Sequence, residues 1–236
     1  MIFKSQKKSL LRVYSHPRSG THFLEAFLAE NFYKNKDLSI PEIKWGHWSN
    51  RKIKKDGNPY GKLFGHHFFP TSKNFKSPGI YIIRDGRAVA YSIWKTENFS
   101  HKNIDGKLSF NEFLDTPLDW SGSPSRKSDS TMTILEHWEK HCSEWIQYSK
   151  NEKKLLIVFY EDLVDQPYQV YRSIKSFNFK FRRRLNKEGI NPISKPTGLL
   201  PNSATKNSWK GKMSDKNQKL FDLVIKNNNV LRNRYS

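Results

Sequence analysis

The chain has 236 residues, 36% of them hydrophobic and 14% aromatic, which suffices for one well-filled core. Lys and Arg number 42 against 22 Asp and Glu, a net charge of +20, which either raises the encounter rate for anionic partners or reflects Lys scattered over solvated faces. The single Cys142 rules out a disulfide framework and no apolar run approaches the ~20 residues of a membrane span, so a cytoplasmic protein without a signal peptide is expected.

In chain order, the first informative stretch is Leu10 to Leu28, where an apolar run breaks into Pro17-Arg18-Ser19-Gly20-Thr21 and then resumes with helical spacing. Phe23, Leu24, Phe27 and Leu28 share one helix face, so a helix is predicted to start between Ser19 and His22. Its unpaired first amides and its dipole favour an anion. Gly20 permits close backbone approach, Ser19 and Thr21 carry hydroxyls, and Arg18 offers a charged fork for phosphate or sulfate oxygens. A Walker loop would place Lys after its glycine; here Thr21 and His22 stand there, which argues against a nucleoside-triphosphate kinase, the first rival reading.

A short strand is expected in the 60s, within Lys62-Leu63-Phe64-Gly65-His66-His67-Phe68-Phe69-Pro70. Ile80 to Ile83 reads as a buried strand that passes through Arg84-Asp85-Gly86-Arg87 into a helix bearing Ser92. Asn98 to Thr131, rich in Ser, Asp, Gly and Pro, has no period and is read as a mobile lid or substrate loop. Positions 134, 135, 138, 142, 145 and 146 form an apolar helical stripe, so Trp138 and Trp145 are assigned to the core. Leu155 to Phe159 is an apolar strand running into Tyr160-Glu161-Asp162-Leu163, and a helix follows over Pro167–Phe177. Asn186 to Ser208 is a second long loop, and Ser214-Asp215 opens a helix whose apolar side carries Leu220, Val224 and Leu231. Repeated strand-to-helix units predict a single α/β domain over residues 1–236, with a central parallel sheet flanked by helices and binding loops at the carboxyl ends of the strands.

The PxSGT loop after a strand resembles the 5′-phosphosulfate loop of the sulfotransferases that use 3′-phosphoadenosine 5′-phosphosulfate (PAPS). Arg84 and the Ser92 eight residues later match the spacing of that family's 3′-phosphate ligands, and Tyr160-Glu161-Asp162-Leu163 resembles its YEDL turn. Trp138, His141 and Trp145 repeat a WxxHxxxW spacing of one family helix. The resemblance implies a P-loop-like sulfotransferase with PAPS as donor, 3′-phosphoadenosine 5′-phosphate (PAP) as product and no metal. It implies that Arg18, Ser19, Gly20, Thr21 and His22 hold the 5′-phosphosulfate, that Arg84 and Ser92 select the 3′-phosphate, and that Tyr160 and Phe23 flank adenine. Arg18 would also neutralise charge on the leaving phosphate.

For the catalytic base the resemblance implies a His at a strand end. Alignment on Gly65 gives His66 and alignment toward Pro70 gives His67; the first is favoured, and alternation along a strand lets only one face the donor. The family lysine two residues before the base falls on Phe64. The family's RKGxxGDWK signature survives only as Trp209-Lys210, with Asn202, Ser203 and Ala204 in place of Arg-Lys-Gly, so Lys206, Trp209 and Lys210 are the candidates there. The dimer motif KxxxTVxxxE is not preserved at Lys210, Ser214, Asp215 and Lys219, and no oligomer is predicted. The acceptor is expected to be a small-molecule or saccharide hydroxyl or amine, toward which Trp45, Trp48, Phe68, Phe69, Trp94 and Trp120 would supply aromatic surface. Excess charge tilts it toward an anionic compound, and no specific nucleic acid is expected. The second rival is a non-catalytic polyanion-binding protein, with Arg51 to Lys55 and Lys180 to Arg184 as its basic clusters.

Overall fold

The computed structural model describes residues 11–32, 64–70, 79–96, 108–120, 131–177 and 206–236. Four strands, β1 (Arg12–Ser15), β2 (Phe64–His66), β3 (Gly79–Ile83) and β6 (Leu155–Phe159), form one sheet in the order β2-β1-β3-β6. All three pairings are parallel. The β1–β3 and β3–β6 pairs keep a continuous register, while the β1–β2 pair shifts between Val13 and Tyr14. This is the α/β architecture expected from the sequence.

Helices cover both faces because alternate strand residues point to opposite sides. Val13, Ile80, Ile82 and Val158 face one apolar cluster with Leu24, Phe27 and Leu28 of α1 (Thr21–Phe32). Val170 and Ile174 of α6 (Pro167–Phe177), the helix that follows α5 (Tyr160–Asp165), complete it. Tyr14, Tyr81, Ile83 and Leu155 face the other cluster, built on α2 (Gly86–Trp94) and α4 (Ile134–Asn151) and extended by Phe221, Ile225, Leu231 and Tyr235 from α7 (Asp215–Ile225) and α8 (Asn229–Tyr235). Every member of the stripe read on α4, from Ile134 to Ile146, is buried there.

The helix starts follow local chemistry. Thr133 with Glu136 closes a capping box on α4, and Ser214 accepts a hydrogen bond from Asn217 at the start of α7. On α7, Asn217, Phe221 and Ile225 are buried, with the Phe221 ring 5.8 Å from Trp138; Val224 packs against the same cluster and Leu231 is buried in it, whereas Leu220 is only half-buried. The stretch Asn98–Thr131 is not uniformly aperiodic either. Ser109 and Glu112 cap a short helix, α3 (Phe110–Asp115), and β4 (Leu118–Asp119) pairs antiparallel with β5 (Thr131–Met132). Phe110, Phe113, Leu114 and Trp120 anchor this segment in the core.

Strand order sets where a ligand crevice opens. From β1 the chain moves to β2 on one side, and the later strands β3 and β6 lie on the other. The carboxyl ends of β1 and β3 therefore flank the switch point, the place where open α/β sheets bind ligands. Positions 16–20 and 84–85 lie there.

Candidate nucleotide and transfer site

The loop between β1 and α1 is shaped by two residues in the left-handed region, Arg18 at φ 66° and Gly20 at φ 91°. Ser19 N–H donates to the His16 carbonyl at 3.2 Å, closing the turn, and Leu24 N–H returns to the Gly20 carbonyl at 3.0 Å. Helix α1 thus begins at Thr21, with the amides of Thr21, His22 and Phe23 left without intrahelical carbonyls. Ser19 is fully buried, and its Oγ has no hydrogen-bond partner among the described residues. A buried, unsatisfied hydroxyl beside a helix N-terminus fits an anion such as a phosphosulfate. Thr21 Oγ1 instead lies 2.6 Å from Ser15 Oγ.

Gly20 has a further constraint. A Cβ there would run into the Tyr160 ring, so the loop rests directly on the aromatic that opens α5. Phe23 meets the same ring edge-on at 5.7 Å, and the Arg84 guanidinium lies 4.7 Å above its centroid. Tyr160 is buried, which raises its phenol pKa.

Sequence-distant residues converge here. Arg18 Nε donates to Ser92 Oγ at 3.0 Å, and Arg84 Nη1 donates to the Arg18 carbonyl at 3.1 Å. Arg18, Arg84 and Ser92 therefore form one connected group, joining the two regions matched separately in the sequence. Burial first, and then the charge of Arg84, lower the Arg18 pKa, so an anion between them relieves both burdens.

Next to this group lies a histidine cluster at the carboxyl end of the sheet. His67 is buried, and its Nδ1 donates to the Ser15 carbonyl at 2.7 Å, with Ser15 Oγ at 3.2 Å. His141 Nε2 donates to the His67 carbonyl at 3.1 Å and its Nδ1 accepts from the Tyr81 hydroxyl at 2.6 Å. His16 Nδ1 donates to the Pro17 carbonyl at 3.0 Å, so its Nε2, 3.0 Å from His137 Nδ1, is the acceptor of a proton carried by His137. Trp120 stacks on His137 at 3.5 Å. Burial, then the neighbouring imidazoles, push His16 well below its ordinary value, and the same causes bring His141 to about 3. No group of His, Cys, Asp or Glu suited to a metal ion occurs among the described residues.

The remaining predicted positions are dispersed. His66 closes β2, but its side chain and that of His22 lie outside the described residues, as do Trp45, Trp48, Asn202 to Ala204 and both basic clusters, Arg51 to Lys55 and Lys180 to Arg184. Lys206 pairs with Asp165, Lys210 is exposed, and the buried Trp209 ring stacks on the Arg87 guanidinium at 4.2 Å. Phe69 and Trp120 are buried and Trp94 is 38% exposed. Sequence reasoning missed His16, His137 and Glu161. The signal for His137 was its i–4 spacing to His141 on one face of α4; for Glu161 none existed before the fold placed it against Asp85.

No curated protein sequence matches the chain. Among solved structures, a mouse sulfotransferase, SULT7A1, complexed with PAP is similar over 97% of this chain and 89% of its own, at 18% identity and TM-score 0.60. Retinol dehydratase in a complex with retinol and PAP is similar over 92% of this chain and 80% of its own, at 15% identity and TM-score 0.53. These likenesses concern the fold. Residues 11–220 match the family model described as a sulfotransferase domain, and the chain therefore belongs to the sulfotransferase family.

Proposed function

We propose that the protein transfers a sulfuryl group from PAPS to a hydroxyl or amine of a small-molecule or carbohydrate acceptor. The observation that supports this reading is the Arg18–Ser92 and Arg84–Arg18 linkage, which joins the loop before α1 to Arg84 and Ser92. Such a pairing suits a nucleotide with phosphates at both the 5′ and 3′ positions. The PAP complexes among the similar folds support the same donor class.

Arg18, the Ser19 hydroxyl and the amides at the start of α1 hold the 5′-phosphosulfate and stabilise the charge that builds on the leaving phosphate oxygen. Arg84 and Ser92 bind the 3′-phosphate, with Phe23 and Tyr160 beside adenine. In the transfer, the acceptor oxygen or nitrogen forms a bond to sulfur while the bond from sulfur to the phosphate oxygen breaks, and the acceptor proton passes to a histidine of the His66–His67 pair. Nδ1 of His67 is committed to Ser15, so a proton taken up by that ring arrives at Nε2. His66, favoured by its alignment on Gly65, is the other candidate, and His66→Ala against His67→Ala assigns the role. The variant lacking the base loses turnover by about a hundredfold or more and still binds PAP.

Thermal unfolding with PAP, ADP and Mg²⁺-ATP tests the donor assignment. At about 100 times its dissociation constant a ligand adds about 2.7 kcal/mol of stability. Stabilisation by PAP well beyond ADP is expected; a larger shift with Mg²⁺-ATP would give the kinase reading the lead.

A further inference from the structure

The peptide unit that follows Arg84 is held at both of its polar groups. Its carbonyl accepts from Trp138 Nε1 at 3.1 Å, and its N–H, that of Asp85, donates to Glu161 Oε1 at 3.0 Å. The second oxygen of Glu161 accepts from the Tyr235 hydroxyl, also at 3.0 Å. The Tyr235 carbonyl accepts from Arg87 Nη2 at 3.0 Å, and Arg87 in turn grips the Asp85 carboxylate and stacks on Trp209 and Phe221. Arg84, Asp85 and Tyr235 are all buried, so these bonds exchange little with water. Burial raises the Glu161 pKa, and the donors from Asp85 and Tyr235 oppose that rise.

A guanidinium reads a phosphate by geometry, and its geometry is inherited from the backbone that carries it. We propose that Glu161, itself fixed by Tyr235 of α8, is a positioning residue for Arg84, and that this clamp sets the preference of the site for a nucleotide bearing a 3′-phosphate. The proposal rests on the assignment of Arg84 to the 3′-phosphate. It gives helix α8, which lies outside the residues matched by the family, a part in donor selection.

The test is titration calorimetry of PAP and of ADP, which lacks the 3′-phosphate, with the wild type and with Glu161→Ala, Glu161→Gln and Tyr235→Phe. Glu161→Ala and Tyr235→Phe are expected to weaken PAP by about tenfold and leave ADP within about twofold. Glu161→Gln stays near wild type, because its amide oxygen still accepts from Asp85 and its amide nitrogen donates to the Tyr235 oxygen. Should Glu161→Ala fail to fold, Tyr235→Phe carries the test, since the ring that packs beside Trp138 is kept. Unchanged PAP affinity, or equal weakening of both nucleotides, would overturn the clamp. A wild type that does not prefer PAP over ADP would overturn the assignment of Arg84, and the clamp with it.

Discussion

Arg18 ties the loop before α1 to the Arg84–Ser92 side of the proposed anion site: its side-chain Nε donates to Ser92 and its backbone carbonyl accepts from Arg84. Arg18→Ala is expected to abolish transfer in a radiolabelled-donor assay, and wild-type turnover by that variant would sink the assignment. Arg84→Ala should raise the Kd for PAP far more than the KM for the acceptor. Gly20 is as sensitive for a different reason. An alanine there pays for a left-handed backbone and displaces the Tyr160 ring, at about 2 kcal/mol or more in a urea titration, with donor affinity falling in step. Residues of this kind were singled out in the sequence by type and spacing, and the fold brings Arg18, Arg84 and Ser92 together. His67 was legible as one of a pair, yet its hydrogen bond to Ser15 depends on two adjacent strands and could not be read from either.

At the scale of elements, helix α2 connects stability to function. Asp85 caps its first turn through Arg87 N–H at 2.9 Å, and Ser92, the proposed 3′-phosphate ligand, lies on the same helix, so the two share one rigid body. Asp85→Ala also releases Arg87, and a loss of about 2 kcal/mol is expected, above the ~1 kcal/mol of a simple cap, in chemical denaturation. Helix α4 is the main internal support. Trp138 is fully buried, packs against Gly86 closely enough to exclude a Cβ there, and bonds the Arg84 carbonyl. Trp138→Ala should cost about 3–5 kcal/mol in the same assay. The period of α4 foretold its buried stripe, whereas on α7 the reading found Val224 but omitted Phe221 and Ile225, because an apolar side chain at helical spacing does not say which neighbour will accept it. The short α3 was missed for a related reason: six residues are too few to establish a period, and its capping box is the only local sign.

For the whole molecule, pH is the informative variable. His16 and His141 are neutral in the fold, with His141 brought to about 3, while an unfolded chain protonates them near 6.5. Between those values the unfolded state binds more protons, so stability is complete above about pH 6.5 and falls as pH drops toward 3. The raised Glu161 and Glu139 carboxyls act in the opposite sense. Urea midpoints at pH 7.5, 6 and 5 should decline in that order, and a flat profile would contradict the neutral cluster. The net charge of +20 acts at longer range. Turnover of an anionic acceptor should fall with salt more steeply than that of a neutral one, since screening removes the field of the molecule before it weakens a buried ion pair.

The sequence by itself determined the α/β class, the turn from β1 into α1, the strand-to-helix turn at Arg84 and the core assignment of Trp138 and Trp145, because each rests on spacing along one strand or helix. Tertiary structure alone decided what these residues do to one another. It set Arg18 against Ser92 across a separation of 74 residues, gathered His16, His137 and His141 from two elements, and laid Tyr235 on Glu161. It also placed Lys206 on Asp165 and Trp209 on Arg87. Periodicity encodes which face of an element is apolar, but contacts between elements depend on strand order and packing, which no single segment contains.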